Sequence, residues 1–432
     1  MEKRRRAVFK SHVKNSIRYY LIVVFILIFL FFSNDFGLID VQKTAIVMAA
    51  GIDREDDTFI VTSQIAIPQS SKQGKASETV QLVSRGKTIA DAFEEINAKT
   101  GWYPKLVFCN LIILGEKTAK QNVFEALDYF LRDEYLSDDC LLATCDGLAK
   151  DMLNTSALVD PSSSTAIQKV LSAHAEKVGT VFPTTLREFS IGYFSDSKSG
   201  YMPVIKIQPQ QEEITGDQGS QGNSSDENSA SGGTSQNSSN GGSQNSSSQS
   251  SGNEQQNSPK KEDKPVFSAG ETALFVNGKR RETLTKEETF SLCSVLGKIR
   301  LASYSVEREG KTCTLTVKQN QPKIKLQTGE KDNFLLKIDV TITAGILDFS
   351  KSQDLKDIAD VGAVPKEYFT TAEQKLASEI QTVYEKCRSI GCDVFGVQER
   401  LIKYENRSFE RQKDTALKNT RADVTVKFQN VR

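Results

Sequence analysis

The sequence predicts a mixed α+β protein on the outer side of a membrane, held there by an N-terminal transmembrane anchor. Three observations carry that expectation. A cationic block runs straight into the unbroken apolar stretch Tyr19–Phe32. Beyond it, segments with a two-residue period interleave with segments whose apolar residues recur at helical spacing. Near the middle, from Gln210 to Pro265, the chain becomes Ser, Asn, Gln and Gly with almost no apolar residue.

Lys3, Arg4, Arg5, Arg6, Lys10, Lys14 and Arg18 precede the apolar stretch, opposed by Glu2 alone. Basic flanks stay in the cytoplasm. Residues 1–18 therefore read as a cytoplasmic tail and 19–39 as the anchor, which includes Tyr19, Leu21, Val24, Ile26, Leu30 and Phe32. Fourteen apolar residues rise only ~21 Å, short of the ~30 Å hydrocarbon core. Ile17 and the stem of Arg18 extend the span inward, and Phe36, Leu38 and Ile39 fall at the outer interface. The segment Ser33-Asn34-Asp35-Phe36-Gly37 lacks a small-x-small cleavage pattern, and no cysteine precedes Cys109 to take a lipid. An uncleaved single-pass anchor is expected.

Bases and acids balance at 55 each, so the chain beyond its basic tail is net acidic. With no basic patch outside the anchor, nucleic acid is excluded as the expected partner. The seven cysteines are odd in number, and Cys140/Cys145 and Cys387/Cys392 stand five apart, which is neither redox nor zinc spacing. They read as thiols, with a disulfide within or between these pairs left open.

In the first outer region, 40–208, Thr44–Ala50 and the alternating Phe59–Ile67 read as two strands. Asp53 to Asp57 resembles a calcium loop, but an EF-hand starting at Asp53 needs Gly and Glu where Thr58 and Gln64 stand, so a hairpin turn is expected. Ile89, Ala92, Phe93 and Ile96 mark a helix ended by Gly101 and Pro104. Leu106–Leu114 reads as a buried strand, Val123, Leu127, Phe130 and Leu131 mark a helix ending near Arg132-Asp133, and Leu141–Thr144 reads as a strand. Ala149–Leu153 and Thr165–Ala175 read as helices.

Residues 209–265 cannot bury enough surface to offset the entropy of ordering and read as a disordered linker. About 50 residues of such chain span roughly 40 Å. The second region, 266–432, opens with a strand, Thr272–Val276, leading through Gly278 to a helix, Lys286–Leu296. Strands are expected over Ala302–Arg308, Thr312–Val317 and Pro322–Gln327. Phe334, Leu336, Ile338, Val340 and Ile342 then line one face of a strand whose other face is wet, as antiparallel sheets allow. A long helix, Thr371–Ile390, and a last strand, Val424–Phe428, complete an antiparallel-rich sheet with a helix packed on it.

Catalytic chemistry finds no constellation. His12 lies in the tail and His174 stands alone, so no triad or zinc site is expected. Gly86-Lys87-Thr88 and Gly310-Lys311-Thr312 end like phosphate loops, but Gln81 and Ser305 occupy the place of the first glycine. Paired acids such as Asp138-Asp139 and Glu287-Glu288 carry no signal in so charged a chain. No cofactor, metal or catalytic residue is expected.

Several short motifs remain. They are Ala45–Asp53, Gly86-Lys87-Thr88, Tyr103-Pro104-Lys105-Leu106-Val107-Phe108, Ile112-Ile113-Leu114-Gly115-Glu116, Leu127–Asp133 and Gly391-Cys392-Asp393-Val394-Phe395-Gly396. Together, in this order, they resemble the C subunit of spore germinant receptors, the Ger(x)C family. The resemblance implies about three small mixed sheet-and-helix domains, two before the linker and one after. It also implies an extracytoplasmic place at the spore inner membrane, beside integral subunits of A and B type. The nutrient, and whether this subunit touches it, stay open. The chain departs from the family in its peptide anchor, where a lipid-bearing cysteine is usual, and in its long linker. Gly86, Pro104, Gly115, Arg132, Asp133, Asp393, Phe395 and Gly396 are the motif positions, each open to a structural or a subunit-contact role. Gly86 and Gly115 suit turns beside helices, Arg132 and Asp133 an ion pair at a helix end, and Asp393 a turn or cap. The expected function is that of a non-catalytic, membrane-anchored receptor subunit. A stand-alone module binding peptidoglycan or another envelope polymer is the alternative.

Overall fold

In this computed structural model the described residues are 18–29, 44–66, 79–156, 160, 162–172, 178–208, 266–329, 333–349, 363–413 and 415–431. The linker, His174 and the anchor residues Leu30 and Phe32 lie outside them. Residues 18–29 are helical (α1). Tyr19, Leu21 and Ile26 on it are exposed, so α1 buries no face in the protein. Among the described residues no helix is long and apolar enough to cross a membrane.

Strands β1 (Thr44–Glu55) and β2 (Thr58–Ala66) form the expected hairpin, closed by Asp56-Asp57 with Asp56 in the left-handed region at φ 49°. After β3 (Thr79–Gly86), helix α2 (Ile89–Thr100) starts on the reciprocal Thr88–Asp91 capping box and stops at Gly101, φ 71°. Its buried residues are Ile89, Ala92, Phe93 and Ile96, the four at helical spacing. The single strand expected over Leu106–Leu114 is instead two short ones, β4 (Tyr103–Lys105) and β5 (Leu111–Leu114), parted by a turn. Then come α3 (Glu116–Lys120), α4 (Phe124–Arg132), β6 (Leu141–Cys145), α5 (Ala149–Asn154) and α6 (Ser163–Val170). β7 (Thr184–Thr185), α7 (Leu186–Phe194) and β8 (Ser199–Gln208) precede the linker.

The sheet continues across the linker. β9 (Val266–Val276) pairs antiparallel with β8, and β10 (Lys279–Leu284) pairs with β9. The ten-stranded sheet runs β10-β9-β8-β6-β5-β1-β2-β3, with β4 on β1 and β7 on β6. The strand that opens the second region in sequence thus belongs to the first region's sheet. Its centre is parallel, with β1 beside β5, β5 beside β6 and β6 beside β8. Helices cover both faces, as parallel sheets require. Ile112 and Leu114 point into one core, Leu111 and Ile113 into the other.

Helix α8 (Lys286–Val295) leads to a four-stranded sheet, β11 (Ser303–Arg308), β12 (Lys311–Thr328), β13 (Phe334–Phe349) and β14 (Thr420–Asn430), in that order. β12 joins the two strands expected around Pro322 into one. Pro322 pairs with Val340 of β13, and β11 begins at Ser303 opposite Thr316, so Pro322 lies on a stretch of β12 with a strand on one side only, where a residue without an N–H is tolerated. β14 lies parallel to β13, and the other pairs are antiparallel. Helix α9 (Lys366–Ile390) buries Phe369, Leu376, Ile380, Val383 and Tyr384 against this sheet and ends at Gly391, φ 77°. Two short helices, α10 (Val397–Tyr404) and α11 (Asn406–Gln412), connect it to β14.

Candidate functional site

The motif positions fall into separate local constructions, each with its own partners. One centres on Asp53, near the end of β1. Leu148 stands at the N-cap of helix α5, and its side chain gives no cap. Asp53 supplies it from 96 positions away: Oδ1 accepts the Ala149 N–H at 2.8 Å and Oδ2 the Lys150 N–H at 2.9 Å. Gly115, at the end of β5, stands so close that a Cβ there would lie 2.0 Å from Asp53 Oδ1. Its N–H also donates to the Ile52 carbonyl at 3.0 Å, and the Thr118 hydroxyl donates to the same oxygen at 3.0 Å. Gly115 is thus required for close approach rather than for a turn, since its φ of −64° suits any residue. Burial raises the Asp53 carboxyl above the usual range, outweighing the lowering by the two backbone N–H groups.

Gly86 plays a similar part where β3 turns into α2: a Cβ would meet the Ala92 nitrogen at 2.5 Å. Pro104 sits in β4, which pairs with β1, and stands opposite Ala45. Arg132 and Asp133 do not form the expected pair. Arg132 Nε reaches Asp128 one turn back at 2.7 Å, while Asp133 accepts the N–H groups of Tyr135 and Leu136 at 2.9 and 3.0 Å. A carboxylate just past the last turn is better placed to fold the following chain than to reach back along the helix.

The second construction is a joint between the two sheets. After Gly391, Asp393 is buried and caps α10, Oδ1 accepting the Val397 N–H at 2.8 Å and Oδ2 the Gln398 N–H at 2.7 Å. Its own N–H donates to the Ser199 hydroxyl at the start of β8, at 2.9 Å. The neighbouring Cys392 thiol donates to the Phe275 carbonyl of β9 at 3.5 Å. Phe395 packs edge-on to Tyr384 of α9, centroids 5.3 Å apart. Gly396 adopts φ 68°, and Arg400 Nη1 donates to the carbonyls of Phe395 and Gly396 at 2.7 and 2.8 Å. Burial raises Asp393 as it does Asp53. Beside this joint a cleft of about 450 Å³ opens between α7 and α10, with Ile191, Val394 and Ile402 among its lining residues.

All seven cysteines are buried, and none of them is in a disulfide. Burial pushes Cys392 up to about 12 and Cys313 up to about 11. Cys140 is held well above the ordinary thiol range by its hydrogen bond with Cys109 and by burial. Among the described residues, no three His, Cys, Asp or Glu side chains gather as metal ligands would. The phosphate-loop look-alikes serve as a helix cap at Thr88 and a hairpin turn at Gly310, φ 74°.

Sequence reasoning missed Asp53 as a cap. Asp53 opens the polar run Asp53–Asp57, which reads as a turn, and the helix it serves is far away in sequence. It also missed Ser199, which carries no motif of its own.

Two family models match the chain. One, for the spore germination protein N-terminal domain, covers residues 38–207, and one, for the C-terminal domain of B3/GerAC-like spore germination proteins, covers 270–432. Spore germination protein B3 of Bacillus subtilis (strain 168) is 32% identical over 119 residues, 26% of this chain. That match spans 31% of the relative's own length. A solved structure described as that of the GerBC protein aligns with 17% identity and a TM-score of 0.49, covering 89% of this chain and 97% of that one.

Proposed function

Because the chain belongs to the GerAC-like family of spore germination proteins, we propose that it is the membrane-anchored, extracytoplasmic subunit of a spore germinant receptor. It acts without catalysis, by docking its two sheets on integral membrane subunits of A and B type and favouring their signal-competent state. The spore inner membrane is its site, and the basic tail lies in the cytoplasm. The observation that carries this reading is the match of both family models, in order, on either side of the linker. The apolar helix α1 ahead of the first matched domain supports attachment to a bilayer. The joint around Asp393 supports one working body: a partner pressing on the second sheet acts on the first through Ser199.

Affinity purification of the tagged full chain from detergent-solubilised spore membranes, with mass spectrometry of what accompanies it, tests the proposal. Co-purification of multi-spanning receptor subunits is expected. Recovery of intact protein with wall polymer and no multi-spanning partner would overturn it in favour of an envelope-binding module.

A further inference from the structure

One pole of the ten-stranded sheet carries four exposed large apolar side chains: Tyr103 (46% exposed), Val107 (48%), Phe108 (53%) and Tyr135 (57%). The topology places them together. β4 and β5 run parallel to β1, and β6 runs parallel to β5, so the segments entering these strands lie at one end. Tyr103 stands opposite Thr44 at the start of β1. Val107 and Phe108 occupy the turn before β5, and Tyr135 lies on the segment before β6. Lys105 bridges them, its Nζ 4.6 Å from the centre of the Tyr135 ring.

These exposures are fixed from beneath. Leu106 and Cys109 are buried, and the Cys109 N–H closes the turn on the Leu106 carbonyl at 2.8 Å, which turns Val107 and Phe108 outward. Asp133 holds the backbone of Tyr135 and Leu136 while Leu136 is buried. Turn tips are ordinarily polar, so a valine and a phenylalanine at this one call for an apolar surroundings.

The same pole receives the chain from α1. Residues 30–43 link Phe29 to Thr44, which limits their separation to roughly 50 Å at ~3.3–3.6 Å per residue. β1 is the first described element after that apolar helix. Tyrosine rings with one apolar and one wet end settle at the headgroup level of a bilayer, and a lysine beside them keeps its charge in water. The charge of this pole is mixed, with Glu134 and Asp139 nearby and Asp138 held by Arg187 at 3.1 Å. Apolar contact, rather than attraction to anionic lipid, is what such a surface offers.

We infer that Tyr103, Val107, Phe108 and Tyr135, with Lys105, rest in the headgroup layer of the bilayer to which the chain is attached. This rests on the anchored reading above, and it sets the orientation of the outer domains: the pole that begins β1, β5 and β6 faces the membrane.

The chain has a single tryptophan, Trp102, next to this surface. The full chain is reconstituted into phosphatidylcholine vesicles, and flotation after carbonate washing reads anchoring. Loss of Trp102 emission in vesicles of brominated phosphatidylcholine, relative to the unbrominated lipid, reads contact of the pole. The expected result is flotation with a loss of emission that high salt does not reverse. Val107→Ser with Phe108→Ser keeps flotation and recovers the emission. A second protein, Trp102→Phe with Phe108→Trp, moves the reporter to the turn tip and is quenched more strongly than the parent. Flotation without quenching in both reporters overturns the inference and leaves the anchor standing. Absence of flotation overturns both. Quenching absent in vesicles, with shielding from acrylamide only after solubilised spore-membrane proteins are added, overturns it in favour of a protein partner.

Discussion

The backbone N–H of Asp393 donates to the hydroxyl of Ser199 at 2.9 Å, although 194 positions, including the linker, separate the two residues. Ser199 begins β8 of the first sheet, and Asp393 follows the helix that covers the second. The linker therefore does not leave two independent bodies. One side of it is stitched to the other by β8–β9 pairing and again at this joint.

Removing Ser199's hydroxyl leaves the Asp393 N–H buried without a partner. Ser199→Ala should cost about 1–3 kcal/mol in denaturant unfolding of the outer domains. Asp393→Ala keeps that backbone N–H but uncaps the first turn of α10, a loss of about 0.5–2 kcal/mol. The double variant should cost less than the sum, because both changes open the same joint. Independent, additive costs would show that the contact does not couple the sheets.

Gly115 and Asp53 form a second testable pair. A methyl on Gly115 would sit 2.0 Å from Asp53 Oδ1, so Gly115→Ala should evict the carboxylate from both helix N–H groups. The expected loss is about 2–3 kcal/mol, against about 1–2 kcal/mol for Asp53→Ala. With the carboxylate already gone, Gly115→Ala should cost clearly less than it does alone. Equal costs in the two backgrounds would assign Gly115 to another constraint, such as the approach of the added methyl to the Ala149 nitrogen.

Much of the fold was legible where a pattern is local. The β1–β2 hairpin, α2, β13 and α9 each follow from periodicity and from stop signals such as Gly101 and Gly391. β5 was drawn too long because a strand buried on both faces shows no alternation, so the turn at Val107-Phe108 looked like more of the same apolar run. β10 was missed although Asn277-Gly278, both at positive φ, is a strong hairpin signal. The crossing of the sheet over the linker was not legible, because nothing in β9 names β8 as its neighbour. The motif positions were legible as positions, but not their partners: Asp53 caps a distant helix, and Arg132 pairs with Asp128 rather than Asp133.

The buried aspartates also set a pH dependence. Asp53 and Asp393 have carboxyls raised by burial, so the folded chain holds their protons to higher pH than the unfolded chain does. Their contribution to stability is then full below the unfolded value of ~3.9 and falls as pH rises through the folded values. Glu379, raised by burial as well, acts in the same sense. Glu95, Glu116 and Asp128, lowered by the Arg85 N–H, Lys120 and Arg132, act oppositely and cancel when two variants are compared. Relative to Asp53→Asn with Asp393→Asn, the parent should lose melting temperature as pH is raised from about 4. A gain over that range would mean that the helix N–H groups outweigh burial and hold both carboxyls low.

The cysteines give the last prediction. A thiol reacts as its thiolate, so reactivity demands both access and a low pKa. Here all seven are buried, and those at 140, 145, 313, 387 and 392 are shifted upward by burial, or first by a neighbouring thiol at Cys140. The native chain should therefore react with a thiol-specific disulfide reagent only at the rate at which it opens. All seven thiols should titrate promptly once denaturant unfolds it. The Cys392 thiol lies in the Asp393 joint, donating to the Phe275 carbonyl. Ser199→Ala should therefore quicken its labelling, read by peptide mapping, more than that of Cys313 in the second sheet. Equal acceleration of both would place the effect in global unfolding; no acceleration of either would mean that the joint closes as well without its hydrogen bond.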